Sequence, residues 1–409
     1  MKCRHCGGSE FWPFLDLGTA PPSNSYVTAD RLGEPENWYP LKIATCNHCL
    51  LVQTEDFAAR ETFFSESYAY FSSFSRSWVN HAELYVGDMI GRFGLGPQSR
   101  VVEVAANDGY LLQFVARAGM RCLGIEPTTS TAQAARARGI EIVEEFFGEA
   151  LAEELARQGW QADLMAANNV LAHVPDINDF ARGFARLLKP EGVATFEFPH
   201  LINMVRENQF DTAYHEHYSY LSLTSVETIF RHNGLKVFDV ETTPWHGGSL
   251  RVFAARMTAT RHGRHPRVDD MLAAERQAGM FERDFHAGFQ KAANGVRNDF
   301  VEYLIHCQRA GLTVAAYGAA AKGNTLLNFG GVKPDLISFV VDLNPAKQGR
   351  YLPGSRIPIV DETMLRAERP ERVIILPWNI KDEIMHQLSF IKDWGGKFVT
   401  AVPSLTIHP

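Results

Sequence analysis

One short segment of the chain holds most of the side chains that could perform acid–base chemistry. The run DTAYHEHYSYLS places Tyr214, His215, Glu216 and His217 at consecutive positions. A histidine can remove a proton near neutral pH, because its ordinary pKa is close to 6.5. A neighbouring carboxylate can orient the imidazole, and a tyrosine hydroxyl can bind a substrate oxygen or an enolate. The residue types alone fit a buried polar cluster equally well, and HEH lacks the spacing and third ligand of a zinc site.

Further polar side chains are expected at the same cleft. One follows the fourth predicted strand in NNVLAHVPD, and others lie in ESYAYFSSFS, which we expect to form a lid. WHGGSLR forms another predicted loop-and-strand contact. The residues predicted in these three segments are His173, Tyr68, Tyr70, Ser72, His246, Gly247 and Arg251.

The four cysteines nearest the N-terminus form two pairs, Cys3-x-x-Cys6 and Cys46-x-x-Cys49. Two such pairs in a cytosolic chain are typical of a tetrahedral zinc site rather than of disulfides or a redox motif. Four thiolates leave no coordination position for water, so we predict a structural role for the zinc and no catalytic role.

The elements that must position these residues alternate between strand and helix from about residue 100 to residue 200. This pattern predicts an α/β fold with a central doubly wound parallel sheet. A charged helical stretch, from about Thr260 to His306, precedes a second, smaller α/β unit. We therefore predict a zinc-binding domain at residues 1–66, a central domain at 67–258 and a C-terminal domain with its helical connector at 259–409.

The first strand–helix turn of the central sheet, EVAANDG, predicts a ligand site at the carboxyl end of the strand. Ala105 replaces the middle glycine of a dinucleotide-binding loop, and an acid ends the second strand, where it can bind ribose hydroxyls. These features favour S-adenosylmethionine over a dinucleotide. The predicted cofactor contacts are Glu103, Ala105, Asn107, Asp108, Gly109, Glu126, Pro127, Phe146, Phe147, Asn168 and Asn169.

The bulk composition excludes several classes of protein. A net charge of −7 argues against a nucleic-acid partner, and 45% hydrophobic residues suit a globular chain. No apolar run approaches the roughly 20 residues of a membrane span, and MKCRHCGG has no apolar signal-peptide core. We expect a cytoplasmic protein, and a monomer, with no membrane partner.

Several motifs occur together in a specific order. They are the two CxxC pairs, YAYFSS, E-x-x-x-NDG, Glu126-Pro127, AHVPD, YHEH, HGGSLRV, YGAAAKGNTLLNF, VVDLNPAKQG and PWN. In this order they resemble the sugar C-methyltransferases of deoxysugar biosynthesis, which methylate carbon 3′ of thymidine-diphosphate-linked 4-keto sugars. The similarity extends over essentially the whole chain.

This resemblance implies three domains: a zinc domain, a class I S-adenosylmethionine-dependent methyltransferase domain and a Rossmann-like C-terminal domain that helps to bind the nucleotide. It implies that His217 is the general base and Glu216 its partner. Tyr214, His173 and Tyr68 would contact the sugar or organise the cleft. His215 replaces the aspartate of the related YDEH pattern, which leaves the identity of the sugar open, as does Ser249.

The C-terminal motifs contain further expected substrate contacts. A helix beginning within Gly318–Gly323 could direct free amides at phosphate, and a lysine there would add positive charge. Later strand ends could hold the base or ribose. The residues expected to make these contacts are Lys322, Asn324, Thr325, Asp342, Lys347, Trp378 and Asn379.

Three alternatives remain open from the sequence. The first is an O- or N-methyltransferase acting on another small metabolite. The second is a nucleotide-sugar oxidoreductase or epimerase, against which Ala105 counts. The third is a zinc-finger interaction module attached to a decayed enzyme.

Overall fold

The structure is a computed structural model that describes residues 1–57 and 71–409. Tyr68 and Tyr70 lie outside the described residues. Within them, no helix is both long and apolar enough to cross a membrane.

The N-terminal part of the chain is an antiparallel sheet. Its strands are β1 (Phe11–Ala20), β2 (Tyr39–Cys46) and β3 (Val52–Thr54). The two CxxC turns lie before β1 and directly after β2. The sheet has a fourth strand, which comes from the central domain.

The central domain alternates strands and helices. Its elements are α1 (Arg76–Phe93), β4 (Arg100–Val104), α2 (Leu112–Arg117), β5 (Arg121–Ile125), α3 (Thr129–Ala137), β6 (Ile142–Val143), α4 (Glu149–Arg157), β7 (Ala162–Asn168), α5 (Ile177–Leu187), β8 (Leu188–Pro199), α6 (Leu201–Arg206), β9 (Ser219–Tyr220), α7 (Leu223–His232), β10 (Leu235–Thr243) and β11 (Ser249–Arg256).

Seven of these strands form one sheet in the order β10-β11-β8-β7-β4-β5-β6, in which β11 runs antiparallel to both neighbours. Strand β7 and most of β8 are buried on both faces, which explains their nearly continuous apolar sequences. This doubly wound sheet is the class I methyltransferase fold that the sequence predicts.

Local signals set the limits of the helix before this sheet. The side chain of Ser75 accepts a hydrogen bond from the Trp78 amide at the start of α1. Gly94 ends the helix in a left-handed conformation, with φ of 62° and its amide bonded to the Ile90 carbonyl.

The C-terminal part begins with three helices, α8 (Pro266–Gln277), α9 (Arg283–Ala287) and α10 (Phe289–Arg309), which form the predicted connector. The elements that follow are β12 (Val314–Tyr317), α11 (Ala321–Phe329), β13 (Val340–Val341), β14 (Ile359–Val360), α12 (Thr363–Glu368), β15 (Arg372–Ile375), α13 (Lys381–Gln387), β16 (Lys397–Thr400) and β17 (Thr406–His408). The sheet order is β14-β13-β12-β15-β16-β17, parallel except for β17.

Two predicted strands are much shorter than their apolar sequences suggest. EIVEEFF forms only β6, at the edge of its sheet, and LISFVVDL forms only β13. After β6 the chain turns out of the sheet, where Glu144 binds Thr129 and Arg136. Side-chain partners replace the strand ladder at this edge.

The domains share both a strand and a core. Strand β9 pairs with β3 and so completes the N-terminal sheet. Phe14 of β1 stacks on Phe289 of α10, with ring centroids 4.9 Å apart. The domain boundaries predicted from sequence stay predictions, because these contacts join the three units into one packed body.

Candidate active site

The predicted cofactor residues meet at the carboxyl end of β4. Ala105 and Asn107 have positive φ values of 60° and 49°, and Gly109 follows at 77°. A side chain on Gly109 would lie 3.3 Å from both Ala135 and Ile140, so only glycine fits the close packing there. Ala105 occupies a conformation that favours glycine, and backbone strain of this kind is typical of ligand-binding turns.

Buried oxygen atoms without hydrogen-bond partners collect at this edge. They belong to both carboxylate oxygens of Glu103, Oδ1 of Asp108, and the side-chain oxygens of Asn168 and Asn169. Burial raises the pKa of Glu103 well above its ordinary value, and the charges of Asp108 and Glu126 raise it further; the nearby Tyr110 hydroxyl opposes part of this rise. Such atoms require donors, and S-adenosylmethionine carries an ammonium group, ribose hydroxyls and a positive sulfonium. The residues therefore fit this cofactor.

Glu126 connects the cofactor turn to the next one. Its carboxylate accepts hydrogen bonds from the Asn107 amide at 3.0 Å and from the amide and hydroxyl of Thr128. Each carboxylate oxygen has a second lone pair, so a ribose hydroxyl can still bind. Pro127 directs the chain away from this carboxylate.

The two phenylalanines after β6 differ from each other. Phe147 is buried against Phe180 and Phe184, with ring centroids 5.6 and 5.2 Å away. Its ring is part of the core beneath α5, and its contact with adenine stays a prediction. Phe146 is only partly buried and keeps its prediction.

The ring of His217 is held in one defined tautomer. Its Nδ1 donates to the Thr212 carbonyl at 2.7 Å, because a carbonyl can only accept. Nε2 therefore carries the lone pair and accepts from the Tyr214 hydroxyl at 2.7 Å. Burial, together with neighbouring His173, Lys322 and His246, lowers the pKa of His217 well below its ordinary value. The ring is neutral at pH 7 and can accept a proton.

Of the other predicted catalytic residues, His173 packs against this ring. His173 lies edge-on to His217, with centroids 4.6 Å apart, and its Nδ1 donates to the Glu216 carbonyl at 2.9 Å. Burial lowers the pKa of His173 to about 4. Within the described residues, the hydrogen bond that orients the His217 ring is accepted by the Thr212 carbonyl and not by the Glu216 carboxylate.

Glu216 has a different partner, which sequence reasoning missed. Its Oε1 accepts from Asn24 Nδ2 at 3.0 Å, its Oε2 is buried without a partner, and burial raises its pKa to about 7. Asn24 lies in the PPSNSY loop, where neighbouring turn residues conceal its role. His215 points the other way, toward the carbonyls of Tyr39 and Pro40.

Several predicted substrate contacts have structural partners instead. Arg251 pairs with buried Glu197 at 2.8 Å, and Glu197 also binds His81 at 2.9 Å. These partners hold its guanidinium against β8 and α1, and its contact with substrate stays a prediction. The backbone amide of Ser72 donates to Asn107 Oδ1 of the cofactor turn at 2.8 Å.

The loop after β10 enters the cleft in a strained conformation. His246, Gly247 and Gly248 have consecutive φ values of 54°, 87° and 98°. A side chain on Gly247 would lie 2.8 Å from both Gln209 and Trp378, so the loop fits closely between two domains. Nε2 of His246 is buried without a partner, and its pKa is lowered to about 4 by burial.

The predicted C-terminal contacts divide into two groups. Lys347 and Asp342 bind each other at 3.3 Å and also fix the carbonyl and amide of Ala319, so both stabilise the turn after β12. Their contacts with substrate stay predictions. Among the others, Thr325 and Trp378 donate hydrogen bonds to Ala213 and Asp211 of the catalytic segment, whereas Lys322, Asn324 and Asn379 stay predictions. The side-chain amide nitrogen and oxygen of Asn324 are buried without hydrogen-bond partners.

The four predicted zinc ligands form one cluster. The sulfur atoms of Cys3, Cys6, Cys46 and Cys49 all lie within 4.8 Å of one another, with closest separations of 3.5 and 3.6 Å. Tetrahedral Zn–S bonds of about 2.3 Å require sulfurs about 3.8 Å apart, so the donor set fits zinc.

The zinc turns also contact the catalytic segment. Arg4, between the first two ligands, donates to the carbonyls of Pro175 at 2.9 Å and Thr54 at 2.8 Å. Thr54 in turn donates through its hydroxyl to the His217 carbonyl at 2.6 Å. Two hydrogen-bonded steps therefore connect the zinc domain to the backbone of the predicted base.

Family models match all three parts of the chain: a zinc binding domain at residues 3–64, a methyltransferase domain at 78–240 and a C-methyltransferase C-terminal domain at 244–403. The C-methyltransferase NovU of Streptomyces niveus is 34% identical over 402 residues, which cover 98% of this chain and 95% of that protein. This chain belongs to the same C-methyltransferase family. It is a zinc-binding, S-adenosylmethionine-dependent C-methyltransferase, as the resemblance implied.

Other similarities are partial. The ubiquinone biosynthesis O-methyltransferase of Salmonella paratyphi A is 31% identical over 108 residues, 26% of this chain and 43% of that protein. The magnesium protoporphyrin IX methyltransferase (ChlM) of Synechocystis, solved with S-adenosylhomocysteine, is 16% identical with a TM-score of 0.35, covering 44% of this chain and 83% of that one.

Replacing Glu103 with Gln should separate cofactor binding from stability. We expect S-adenosylmethionine to bind at least about 10-fold more weakly in Glu103→Gln, because a charged acceptor is lost. The unliganded variant should melt no lower than the wild type, since a buried, crowded carboxylate is removed. Calorimetry and thermal melting measure both, with exposed Glu141→Gln as control. Unchanged affinity would contradict the assignment.

The neutral histidines predict a loss of stability in acid. The pKa of His173 is about 4 in the folded chain and about 6.5 when unfolded, so the unfolded state binds the extra proton as pH falls below 6.5. This lowers the free energy of unfolding by at most about 2 kcal/mol at pH 5, less after solvent screening. Urea titrations at pH 7.5 and pH 5 should show a smaller acid loss for His173→Asn than for wild type. Exposed His306→Asn should match the wild type.

Removing a zinc ligand should disturb the catalytic segment as well as the N-terminal fold. We expect Cys49→Ser to lose bound zinc, to melt at a lower temperature and to lose methyl transfer, because Thr54 and Arg4 no longer hold their partners. S-adenosylhomocysteine affinity should change less, since its contacts lie on the central sheet. Metal analysis, melting and calorimetry test this. A zinc-free variant with wild-type turnover would contradict it.

Proposed function

We propose that this enzyme transfers a methyl group to carbon 3 of a nucleotide-linked 4-keto deoxysugar, with thymidine diphosphate as the expected nucleotide. One observation carries the proposal. The neutral His217 ring, whose Nε2 accepts from Tyr214, lies edge-on to His173, which follows β7 of the central sheet, and Thr325 of α11 donates to the segment that precedes it. A base at this position suits a substrate whose reactive carbon carries an acidic C–H bond.

The reaction begins with binding of the sugar between the two domains. The keto group acidifies the C–H bond at the neighbouring carbon, and His217 Nε2 accepts that proton. The Tyr214 hydroxyl, 2.7 Å from Nε2, can then donate to a substrate oxygen in place of the ring. His173 and Glu216 restrict the ring and the pocket around it.

Bound S-adenosylmethionine supplies an electrophilic methyl group to the resulting carbanion. The chain aligns the two reactants, because its cofactor residues and its base lie at the same edge of one rigid sheet. Buried apolar and aromatic side chains exclude water, which protects the carbanion from reprotonation. Cysteines that serve as metal ligands suit a reducing compartment, so we propose a cytoplasmic location.

His217→Asn tests the base directly. An amide cannot accept the proton, so we expect methyl transfer to fall by about 10²–10⁴-fold while S-adenosylhomocysteine affinity stays within threefold. Mass spectrometry with a panel of nucleotide-linked 4-keto deoxysugars measures turnover. His306→Asn serves as the exposed control. Near-normal turnover by His217→Asn would reject the assignment, and no methylated product from any panel member with the wild type would reject the substrate class.

A further inference from the structure

The first turn of α11 faces the catalytic segment. Thr325 donates through its hydroxyl to the Ala213 carbonyl at 2.8 Å, and Trp378 donates through its indole to Asp211 at 2.7 Å. Both acceptors lie within the few residues that precede Tyr214 and His217. Lys322 belongs to this same turn, so its side chain begins at the wall of the catalytic pocket.

The ammonium group of Lys322 lies between two loops of that pocket. Its Nζ is 3.5 Å from the carbonyl of His246 and 5.0 Å from the centre of the Trp378 ring. The His246 ring lies 4.8 Å from that of Trp78, which stacks 5.9 Å from Tyr110 beside the cofactor turn. The loop that contains His246 therefore contacts Lys322 through its backbone and Trp78 through its imidazole ring.

The ammonium of Lys322 has no carboxylate partner within 4.0 Å among the described residues. Other enclosed cations do: Arg251 lies 2.8 Å from Glu197, and Lys347 lies 3.3 Å from Asp342. Burial lowers the pKa of Lys322, and the charge of buried Asp211, which also accepts from the Trp378 indole, opposes part of that lowering. An enclosed cation beyond ion-pair distance from its counter-charge is costly, and an anion that forms beside it reduces this cost. After burial, the same charge contributes to the lowered pKa values of His217 and His246.

We propose that Lys322 is a catalytic residue whose ammonium neutralises the enolate oxygen formed when His217 removes the substrate proton. The electron pair of the broken C–H bond forms a double bond between carbons 3 and 4 of the sugar. The keto oxygen gains the negative charge, and His217 Nε2 holds the proton. When the new carbon–methyl bond forms and the sulfur–methyl bond breaks, the carbonyl is restored. Lys322 transfers no proton, and its charge is unchanged throughout.

This inference rests on the proposed function and replaces the expectation that Lys322 binds phosphate. The two roles predict different measurements. A phosphate ligand contributes to nucleotide affinity, whereas an enolate partner contributes to the rate of proton removal at saturating substrate.

Proton exchange provides the test, since it reports enolate formation without methyl transfer. Lys322→Gln and wild type are incubated in D₂O with S-adenosylhomocysteine and a saturating nucleotide-linked 4-keto sugar. We expect exchange at carbon 3 to fall at least about 100-fold in the variant. Affinities for thymidine diphosphate and S-adenosylhomocysteine should stay within threefold. Lys322→Arg, which keeps the charge, should retain more exchange than Lys322→Gln. Lys392→Gln, an exposed lysine of the same domain, should match the wild type.

Exchange by Lys322→Gln within threefold of wild type would overturn the role of Lys322, whether or not thymidine diphosphate affinity falls. Equal losses in Lys322→Arg and Lys322→Gln would also count against it, because the preserved charge should help. Unchanged S-adenosylhomocysteine affinity verifies that each variant is folded. No exchange by the wild type with any 4-keto sugar would instead reject the proposed function, so the two failures are distinguishable.

Discussion

The site depends on the hydrogen bond from His217 Nδ1 to the Thr212 carbonyl. This bond, 2.7 Å long, fixes which ring nitrogen carries the proton and directs the other nitrogen into the cleft. The bond requires a fixed backbone at both ends. Thr54 of the N-terminal sheet holds the His217 carbonyl, and Thr325 of α11 holds the carbonyl beside Thr212. A single tautomer is therefore maintained by contacts from the N-terminal and C-terminal domains.

Charge is distributed in opposite senses at the two ends of the pocket. Glu103, Asp108 and Glu126 lie together at the cofactor edge, where burial and mutual repulsion raise the pKa of Glu103. A sulfonium ligand relieves this repulsion. At the C-terminal side the charge of Lys322 contributes to the lowered pKa values of His217 and His246, and we propose that an anion forms there. The chemistry of moving a methyl cation to a carbanion matches this polarity, because the two opposite charges disappear as the bond forms.

Features that depend on neighbouring residues are predicted well from the sequence. Features that depend on contacts between distant residues are predicted poorly. The zinc ligands, the cofactor turn and most strands follow from local spacing and apolar pattern. The role of Asn24 could not be predicted, because its partner Glu216 is 192 positions away. The core partners of Arg251 and Phe147 could not be predicted for the same reason, because they come from other elements. The hydrogen bond that holds the His217 ring could not be predicted either, because its acceptor is the Thr212 backbone carbonyl, which has no sequence signature.

The zinc domain belongs to the catalytic unit rather than to a separate interaction module. Its turns are occupied by contacts with the central domain: His5 binds Asn178 at 2.8 Å, and Arg4 reaches the loop that follows His173. Three of its cysteines pack in the same apolar core as the central sheet. A zinc site without an open position cannot act on substrate, yet it can fix the geometry of residues that do. A bound metal would therefore help to fix the backbone near His173 and at His217 through the hydrogen bonds of Arg4 and Thr54.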